Sequence, residues 1–283
     1  MTDELSRLKS FIGRSSPITI EVACAAPVAR LAATLGIDAP ARASGDVLPV
    51  GWHGVYFGAL HRPNNMRADG QAAGSSWLPA VPLPRHRLGL DRAEFPGEIR
   101  IGDELKRVSR VVDVSITERA EGPVVGLVQR SEITGPRGLA VIEERESIYY
   151  GGTAPAPAPP PPLPQPLWRR LIEPDPVLLF RYSAVRFNSH RVHYDRGFAL
   201  KEEGLPGLIV QASMIAQLLL EMCRTSLPER RIASFSPRTR HPVYDTGPFA
   251  LCGAPSADGR TAMMWALDAA GSVALAGEIR FSG

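Results

Sequence analysis

Between Gly151 and Pro166 the chain carries a run that neither a helix nor a central strand can contain. It opens on Gly151-Gly152-Thr153-Ala154-Pro155 and includes Pro159-Pro160-Pro161-Pro162. Proline fixes φ and has no N–H to donate, so such a run behaves as a semi-rigid polyproline II spacer. The chain must therefore fold as two units, 1–150 and 167–283, joined by residues 151–166. A ligand for an SH3 or WW domain is the sharper reading of the same prolines, but a linker explains their position without a partner. The length of 283 residues agrees, since single domains usually run to about 100–150 residues.

Each unit has enough apolar sequence for a core: 44% of residues are hydrophobic and 22% charged, ordinary values for a globular protein. The formal net charge of +3 comes with no dense basic run, so nucleic acid is not an expected partner. Cys24, Cys223 and Cys252 are scattered and odd in number, which fits reduced thiols in a cytoplasmic protein better than disulfides or zinc. Met1 to Gly13 is charged throughout, unlike a signal peptide. No run approaches the ~20 apolar residues of a membrane helix. A soluble, cytoplasmic protein without membrane contact is expected.

In the first unit, Lys9 to Ile12 lies in a short helical lead-in. Ile18-Thr19-Ile20-Glu21-Val22 alternates as a strand, and Pro27 to Gly36 reads as a helix with proline in its first turn and glycine at its stop. Leu48 to Leu90 is loop-rich yet holds Trp52, His53, Tyr56, Phe57 and Trp77, too many aromatics for a disordered tail. It reads as a folded excursion or flap, with Phe57 to Ser76 its most mobile part. Gly97 to Leu105, Lys106 to Thr117, Val124 to Ile133 and Leu139 to Tyr150 follow as strands of a meander with glycine- and proline-marked turns. In the second unit Val177 to Phe187 alternates as a strand and Leu208 to Cys223 predicts a buried helix. Arg230 to Phe235, Thr261 to Leu267 and Val273 to Phe281 predict further strands. The helix-then-strands order repeats, giving an α+β architecture in both units.

At the end of the first of these strands the chain turns polar. Asn188, His190, His193 and Asp195 fall close together, and a neutral imidazole can take a proton near pH 7. The same pattern suits a solvated turn, with Asp195 capping a helix that starts near Phe198. The His-x-x-His spacing of His190 and His193, with Asp195, could also suggest a metal site, but no further ligand is evident. Gly204-Leu205-Pro206-Gly207 opens the buried helix. N–H groups near Gln211-Ala212-Ser213 could hold a carbonyl oxygen as an oxyanion hole, or could belong to an ordinary capped core helix.

The run Phe187-Asn188-Ser189-His190-Arg191-Val192-His193-Tyr194-Asp195, followed by Gly204-Leu205-Pro206-Gly207-Leu208-Ile209-Val210, resembles the active-site segment of MaoC-like hydratases and dehydratases of acyl-thioesters. The nearest branch is that of the mesaconyl-C4-CoA and itaconyl-CoA hydratases. Leu78-Pro79-Ala80-Val81-Pro82-Leu83-Pro84-Arg85, Ile101-Gly102-Asp103-Glu104 and Asp245-Thr246-Gly247-Pro248-Phe249 extend the resemblance over nearly the whole chain outside the linker. It implies a double hot-dog, two antiparallel sheets each wrapped around a central helix. The first hot-dog would be catalytically silent and would wall the acyl-CoA tunnel.

The family commonly places Asp and His five positions apart as its catalytic pair. Here the matching residues are Asn188 and His193, which implies His193 as the general base and Asn188 as the holder of water, with His190 and Asp195 in support. Where the family commonly reads His-Gly-Pro, this chain has Gln211-Ala212-Ser213, implied to face the thioester, with the Ala212 N–H a donor that no side-chain change removes. The implied substrate is an acyl-CoA, with no cofactor and no metal. The implied reaction is hydration of a short branched dicarboxylic enoyl-CoA, mesaconyl-C4-CoA or itaconyl-CoA, to citramalyl-CoA. Its distal carboxylate calls for an arginine fork; of Arg181, Arg186 and Arg191, the last is the first choice. A 3-hydroxyacyl-thioester dehydratase of fatty-acid or polyketide type, on CoA or acyl carrier protein, and a non-catalytic acyl-thioester-binding protein are the alternatives. A homodimer is admitted as an assembly, and the residues do not fix it.

Overall fold

The computed structural model of the chain describes residues 2–41, 43–153, 155 and 159–283. The first unit runs α1 (Thr2–Arg7), β1 (Thr19–Val22), α2 (Ala25–Leu35), β2 (Val47–Leu48), β3 (Arg85–Glu94), β4 (Ile99–Arg100), β5 (Glu104–Thr117), β6 (Val124–Gly135) and β7 (Gly138–Tyr150). The second runs β8 (Trp168–Ile172), α3 (Pro176–Val185), α4 (Arg196–Lys201), α5 (Ala212–Ser226), β9 (Ile232–Thr239), β10 (Phe249–Pro255), β11 (Thr261–Leu267) and β12 (Val273–Phe281).

Ten of these strands form one antiparallel sheet in the order β1-β5-β6-β7-β3-β9-β12-β11-β10-β8. The expectation of two separate sheets is corrected by this continuity. β3 pairs with β7 on one side and with β9 on the other, through Leu90↔Arg238, Ala93↔Phe235 and Glu94↔Ser234. The doubling survives as topology: β1-β5-β6-β7-β3 and β8-β10-β11-β12-β9 place their strands in the same sequence from outer edge to centre. In each unit a helix lies between the first two strands of this sheet, the 11-residue α2 between β1 and β3 and the 15-residue α5 between β8 and β9. The helix read at Pro27 to Gly36 is thus present as α2, and the described residues of 36–84 that follow it are loops, short 3-10 turns and β2.

The α5 helix takes a central place in a core shared by both units. It packs on β9, β10 and β11, burying Met214, Ile215, Leu218, Leu219, Met222 and Cys223. Full burial of an aliphatic side chain stabilises by roughly 1.5–3 kcal/mol. From the first unit, Trp52 is wholly buried and its Nε1 donates to Glu221 of α5 at 3.2 Å. One continuous cluster then joins Leu31, Trp52, Leu105 and Ile133 to Leu179, Leu219, Phe235 and Phe249.

Val177 to Phe187 is mostly the helix α3, not a strand. Asp175 decides this: its side chain accepts from the N–H of Val177 at 2.7 Å and of Leu178 at 3.0 Å, and Pro176 takes the first helical position. The buried residues Leu179, Tyr182 and Ser183 follow the helical spacing. The buried helix expected from Leu208 begins at Ala212. Residues 208–210 are instead held extended, Leu208 N–H by the Asp245 carboxylate at 2.8 Å, Ile209 N–H by Val192 O at 3.0 Å and Val210 N–H by Val243 O at 2.8 Å. Gly207 permits this, because a Cβ there would lie 2.7 Å from Asp245 Oδ1 and 2.8 Å from Thr246 Cγ2. In the proline run, Ala154, Ala156, Pro157 and Ala158 lie outside the described residues; Pro159 to Pro162 are exposed and outside any helix or strand.

Candidate active site

The turn carrying the histidines is built by consecutive caps. Helix α3 ends on Arg186, and Phe187 then adopts φ 50°, turning the chain so that Asn188 N–H reaches Ser183 O at 2.8 Å. The Asn188 side-chain oxygen accepts from the N–H of His190 at 3.1 Å. A single 3-10 turn, Arg191–His193, follows, and Asp195 caps α4 by accepting from Phe198 N–H at 3.0 Å. The sequence-based expectation for Asp195 as a helix cap is met.

His193 hangs over the extended run that leads into α5. Its Nδ1 lies 2.8 Å from the carbonyl oxygen of Ile209. A carbonyl can only accept, so Nδ1 carries the proton and the neutral ring presents a lone pair on Nε2. Burial lowers the His193 pKa, against the opposing pull of the Ile209 bond. His190 stands edge-on to it, ring centroids 5.3 Å apart. Burial, then the neighbouring His193, brings the His190 pKa down to about 4, Asp69 opposing and His86 and Arg67 assisting. Both rings are neutral at pH 7, as a base must be before it accepts a proton.

Two residues beyond Ile209, Gln211 precedes the first turn of α5, where the N–H groups of Ala212 and Ser213 have no acceptor within the helix. The Gln211 side chain does not cap that turn. It is buried beneath it, Nε2 donating to Leu179 O and to Ser183 Oγ, both at 2.9 Å, while Oε1 has no hydrogen-bond partner among the described residues. Gln211 thus braces Ser183, whose carbonyl holds Asn188.

Arg191, the first choice for a carboxylate clamp, is heavily engaged. Its Nε and Nη2 donate to Asp195 Oδ2 at 3.0 and 2.8 Å, its Nη1 donates to Ala68 O at 3.0 Å, and its guanidinium lies 4.2 Å from the centre of the Phe198 ring. Arg186, the second, extends over Gly54 of the first unit, where a Cβ would fall on its guanidinium.

The structure adds residues that the sequence reading missed, all from the first unit. His86 on β3 sits opposite Tyr149 on β7, and their rings stack at 5.5 Å. His86 also meets the histidine turn: the His86 and His190 rings are 6.5 Å apart. Burial first, then Arg67, lowers the His86 pKa. A row Tyr149, His86, His190, His193 therefore crosses from one unit to the other. Arg67 and Asp69 lie near it, on a loop that docks on the turn. Gly70 O accepts from Ser189 Oγ at 2.6 Å and Asp69 O from Arg191 N–H at 2.9 Å. The expected flap is thus seated on the histidines. Among the described residues no group of three or more His, Cys, Asp or Glu is placed to hold a metal ion.

Residues 51–245, more than half of the chain, match the family described as hydroxyacyl-thioester dehydratase type 2. The chain belongs to that MaoC-like family. It is 33% identical over 254 residues to mesaconyl-C(4)-CoA hydratase of Chloroflexus aurantiacus, covering 88% of this chain and 89% of the relative. A MaoC-like dehydratase from Phytophthora capsici superposes with a TM-score of 0.69 at 13% identity, over 98% of both chains. A Mycobacterium tuberculosis protein described as a double hot-dog does so with a TM-score of 0.56 at 15% identity, over 96% of both chains. The fold is accordingly an α+β double hot-dog whose two half-sheets are fused. As a member of the MaoC-like family the protein is an acyl-thioester hydratase or dehydratase, a hydro-lyase.

Proposed function

We propose that this MaoC-like hydro-lyase adds water to a short branched dicarboxylic enoyl-CoA, mesaconyl-C4-CoA or itaconyl-CoA, to give citramalyl-CoA. The observation that carries the chemistry is the 2.8 Å bond from His193 Nδ1 to Ile209 O, which leaves Nε2 as a base of fixed tautomer. The substrate class is supported by the relative's name at 33% identity over most of both chains.

The thioester oxygen is received by the first-turn N–H groups of α5 at Ala212 and Ser213, which draws electron density from the β-carbon. A water held by Asn188 and His193 attacks that carbon. Because the Asn188 oxygen is occupied by His190 N–H, its amide NH₂ is the group left to donate to the water. With mesaconyl-C4-CoA, His193 takes one proton from the water as the C–O bond forms and returns it to the α-carbon, so one water is added across the double bond; itaconyl-CoA, whose double bond is not conjugated with the thioester, takes the proton on its terminal CH₂ carbon instead. Dehydration runs the same steps in reverse. With mesaconyl-C4-CoA the water adds to the carbon bearing the methyl group and the distal carboxylate.

The family description favours a second reading, dehydration of a 3-hydroxyacyl thioester of fatty-acid or polyketide type. A panel of mesaconyl-C4-, itaconyl-, crotonyl- and longer enoyl-CoAs, with products identified by mass, tests both. Selective turnover of the dicarboxylic substrates supports hydration to citramalyl-CoA. A profile that rises with neutral chain length overturns it in favour of the dehydratase.

A further inference from the structure

Arg67 belongs to a tight turn whose place relative to the histidines is set by backbone contacts. Within the turn, Arg67 N–H donates to Gln71 O at 2.7 Å and Gly70 N–H to Arg67 O at 2.9 Å. Between the turn and the histidine segment, Ser189 Oγ donates to Gly70 O at 2.6 Å, Arg191 N–H to Asp69 O at 2.9 Å and Arg191 Nη1 to Ala68 O at 3.0 Å. Gly70 has φ 83° and packs so closely that a Cβ would run into the Ser189 carbonyl. Five hydrogen bonds thus fix where Arg67 stands, and three of them end on the segment that carries the base.

The guanidinium itself has capacity to spare. One nitrogen, Nη2, pairs with Asp69 Oδ2 at 3.2 Å, and 44% of the Arg67 side chain is exposed. Asp69 is shared, since its Oδ1 accepts from Gln71 N–H at 2.9 Å. The latch brings the Arg67 turn against the histidine segment, and the charge of Arg67 acts to lower the pKa values of His86, Tyr149 and His190. Arg191, by contrast, spends its fork on Asp195 and Ala68. In mesaconyl-C4-CoA the distal carboxylate is attached to the carbon that water attacks, so its partner must stand close to the base.

We propose that Arg67, on the first unit's loop latched to the histidine turn, is the specificity residue that receives the distal carboxylate of the acyl group. This rests on the dicarboxylic reading above and deepens it. Arg191 is then a positioning residue: it holds the latch, and Arg67 meets the substrate. The first unit contributes a binding group to the reaction that the second unit catalyses. A guanidinium offers paired donors at a spacing that matches a carboxylate, which lysine does not.

The experiment compares kcat/KM for mesaconyl-C4-CoA and for crotonyl-CoA, which lacks the carboxylate, in the full-length enzyme and in Arg67→Gln and Arg67→Lys. The preference for the dicarboxylic substrate should fall about 10- to 100-fold in Arg67→Gln, the range for a lost charged hydrogen bond, and should recover in part in Arg67→Lys. An equal loss on both substrates would assign Arg67 to the CoA moiety or to folding and overturn the proposal. A wild-type enzyme that prefers mesaconyl-C4-CoA, with an Arg67→Gln variant of the same preference, overturns the Arg67 assignment alone. A wild-type enzyme without that preference overturns the substrate reading, and the assignment falls with it.

Discussion

The Ile209 carbonyl fixes the tautomer of His193. Because Nδ1 lies 2.8 Å from that oxygen, the ring keeps its proton there and Nε2 is the atom that can act on water. The carbonyl belongs to a strand-like segment held from both sides, by Val192 and by Val243, so the His193 ring is oriented by backbone that no side-chain substitution removes. His193→Ala should lower kcat for hydration by at least about 10²-fold, the lower range for loss of a general base. Near-normal turnover in that variant would remove His193 from the chemistry.

The depressed basicity of His193 sets the acid side of the pH profile. Burial favours the neutral ring, which is the active form in the proposed mechanism. Activity is therefore present above the folded-state pKa and lost as pH falls through it. The acid limb of kcat/KM should lie below the ordinary histidine value of about 6.5. A limb at or above 6.5 would require another group to control the rate.

His190 should show in stability rather than in rate. Its folded pKa is about 4, while an unfolded histidine takes its proton at about 6.5. Between these values the unfolded chain binds more protons, so stability falls as pH drops from about 6.5 towards 4. Urea denaturation of His190→Gln should show a shallower loss across that window than wild type. Parallel curves would mean that other groups carry the acid sensitivity.

The latch between the two units gives a prediction at Gly70. A Cβ at that position meets the Ser189 carbonyl, and φ is 83°. A left-handed conformation costs an L-residue about 1–2 kcal/mol. Gly70→Ala should release the loop 63–73 from the histidine turn and lower kcat/KM. It should also open the loop to limited proteolysis. Unchanged protection of the loop together with unchanged kinetics would show that the latch does not hold the site.

What could be read from the sequence divides by distance along the chain. Thr261–Leu267 and Val273–Phe281 were legible as apolar runs bounded by the turn-rich stretches Ser256 to Arg260 and Asp268 to Ser272, and the structure keeps the same limits. Phe249–Pro255 escaped because it is interrupted by Gly253 and closed by Pro255, and buried on both faces, so no alternation marks it. β3 escaped because its sequence, Arg85 to Glu94, is largely polar, although it lies at the centre of the sheet. The histidine turn was readable as one local run. Arg67, Asp69 and His86 were not: Gly70 and Ser189, which bring the flap to that turn, are 119 positions apart. No local pattern of propensity or spacing encodes such a meeting. α3 was misread because Val177 to Phe187 satisfies alternation, while the decisive signal was the capping pair Asp175-Pro176 just before it.

Gln211 gives the last prediction, because it stands between the core and the site. It is almost wholly buried, and its amide nitrogen bonds Leu179 O and Ser183 Oγ. Ser183 in turn accepts the N–H of Asn188 through its carbonyl. Gln211→Leu fills a similar volume and removes the unpartnered Oε1, but it leaves the Leu179 carbonyl and the Ser183 hydroxyl without their donor. Stranding a buried polar group costs about 1–3 kcal/mol, so the variant should unfold at lower urea by a corresponding amount. If Gln211 also braces the turn through Ser183, kcat should fall as well, because Asn188 is held by the Ser183 carbonyl. Gln211→Glu keeps the shape and exchanges the donating nitrogen for a second acceptor, so it should lose at least as much stability. A Gln211→Leu enzyme with wild-type stability and wild-type kcat would show that the brace under the histidine turn carries no load.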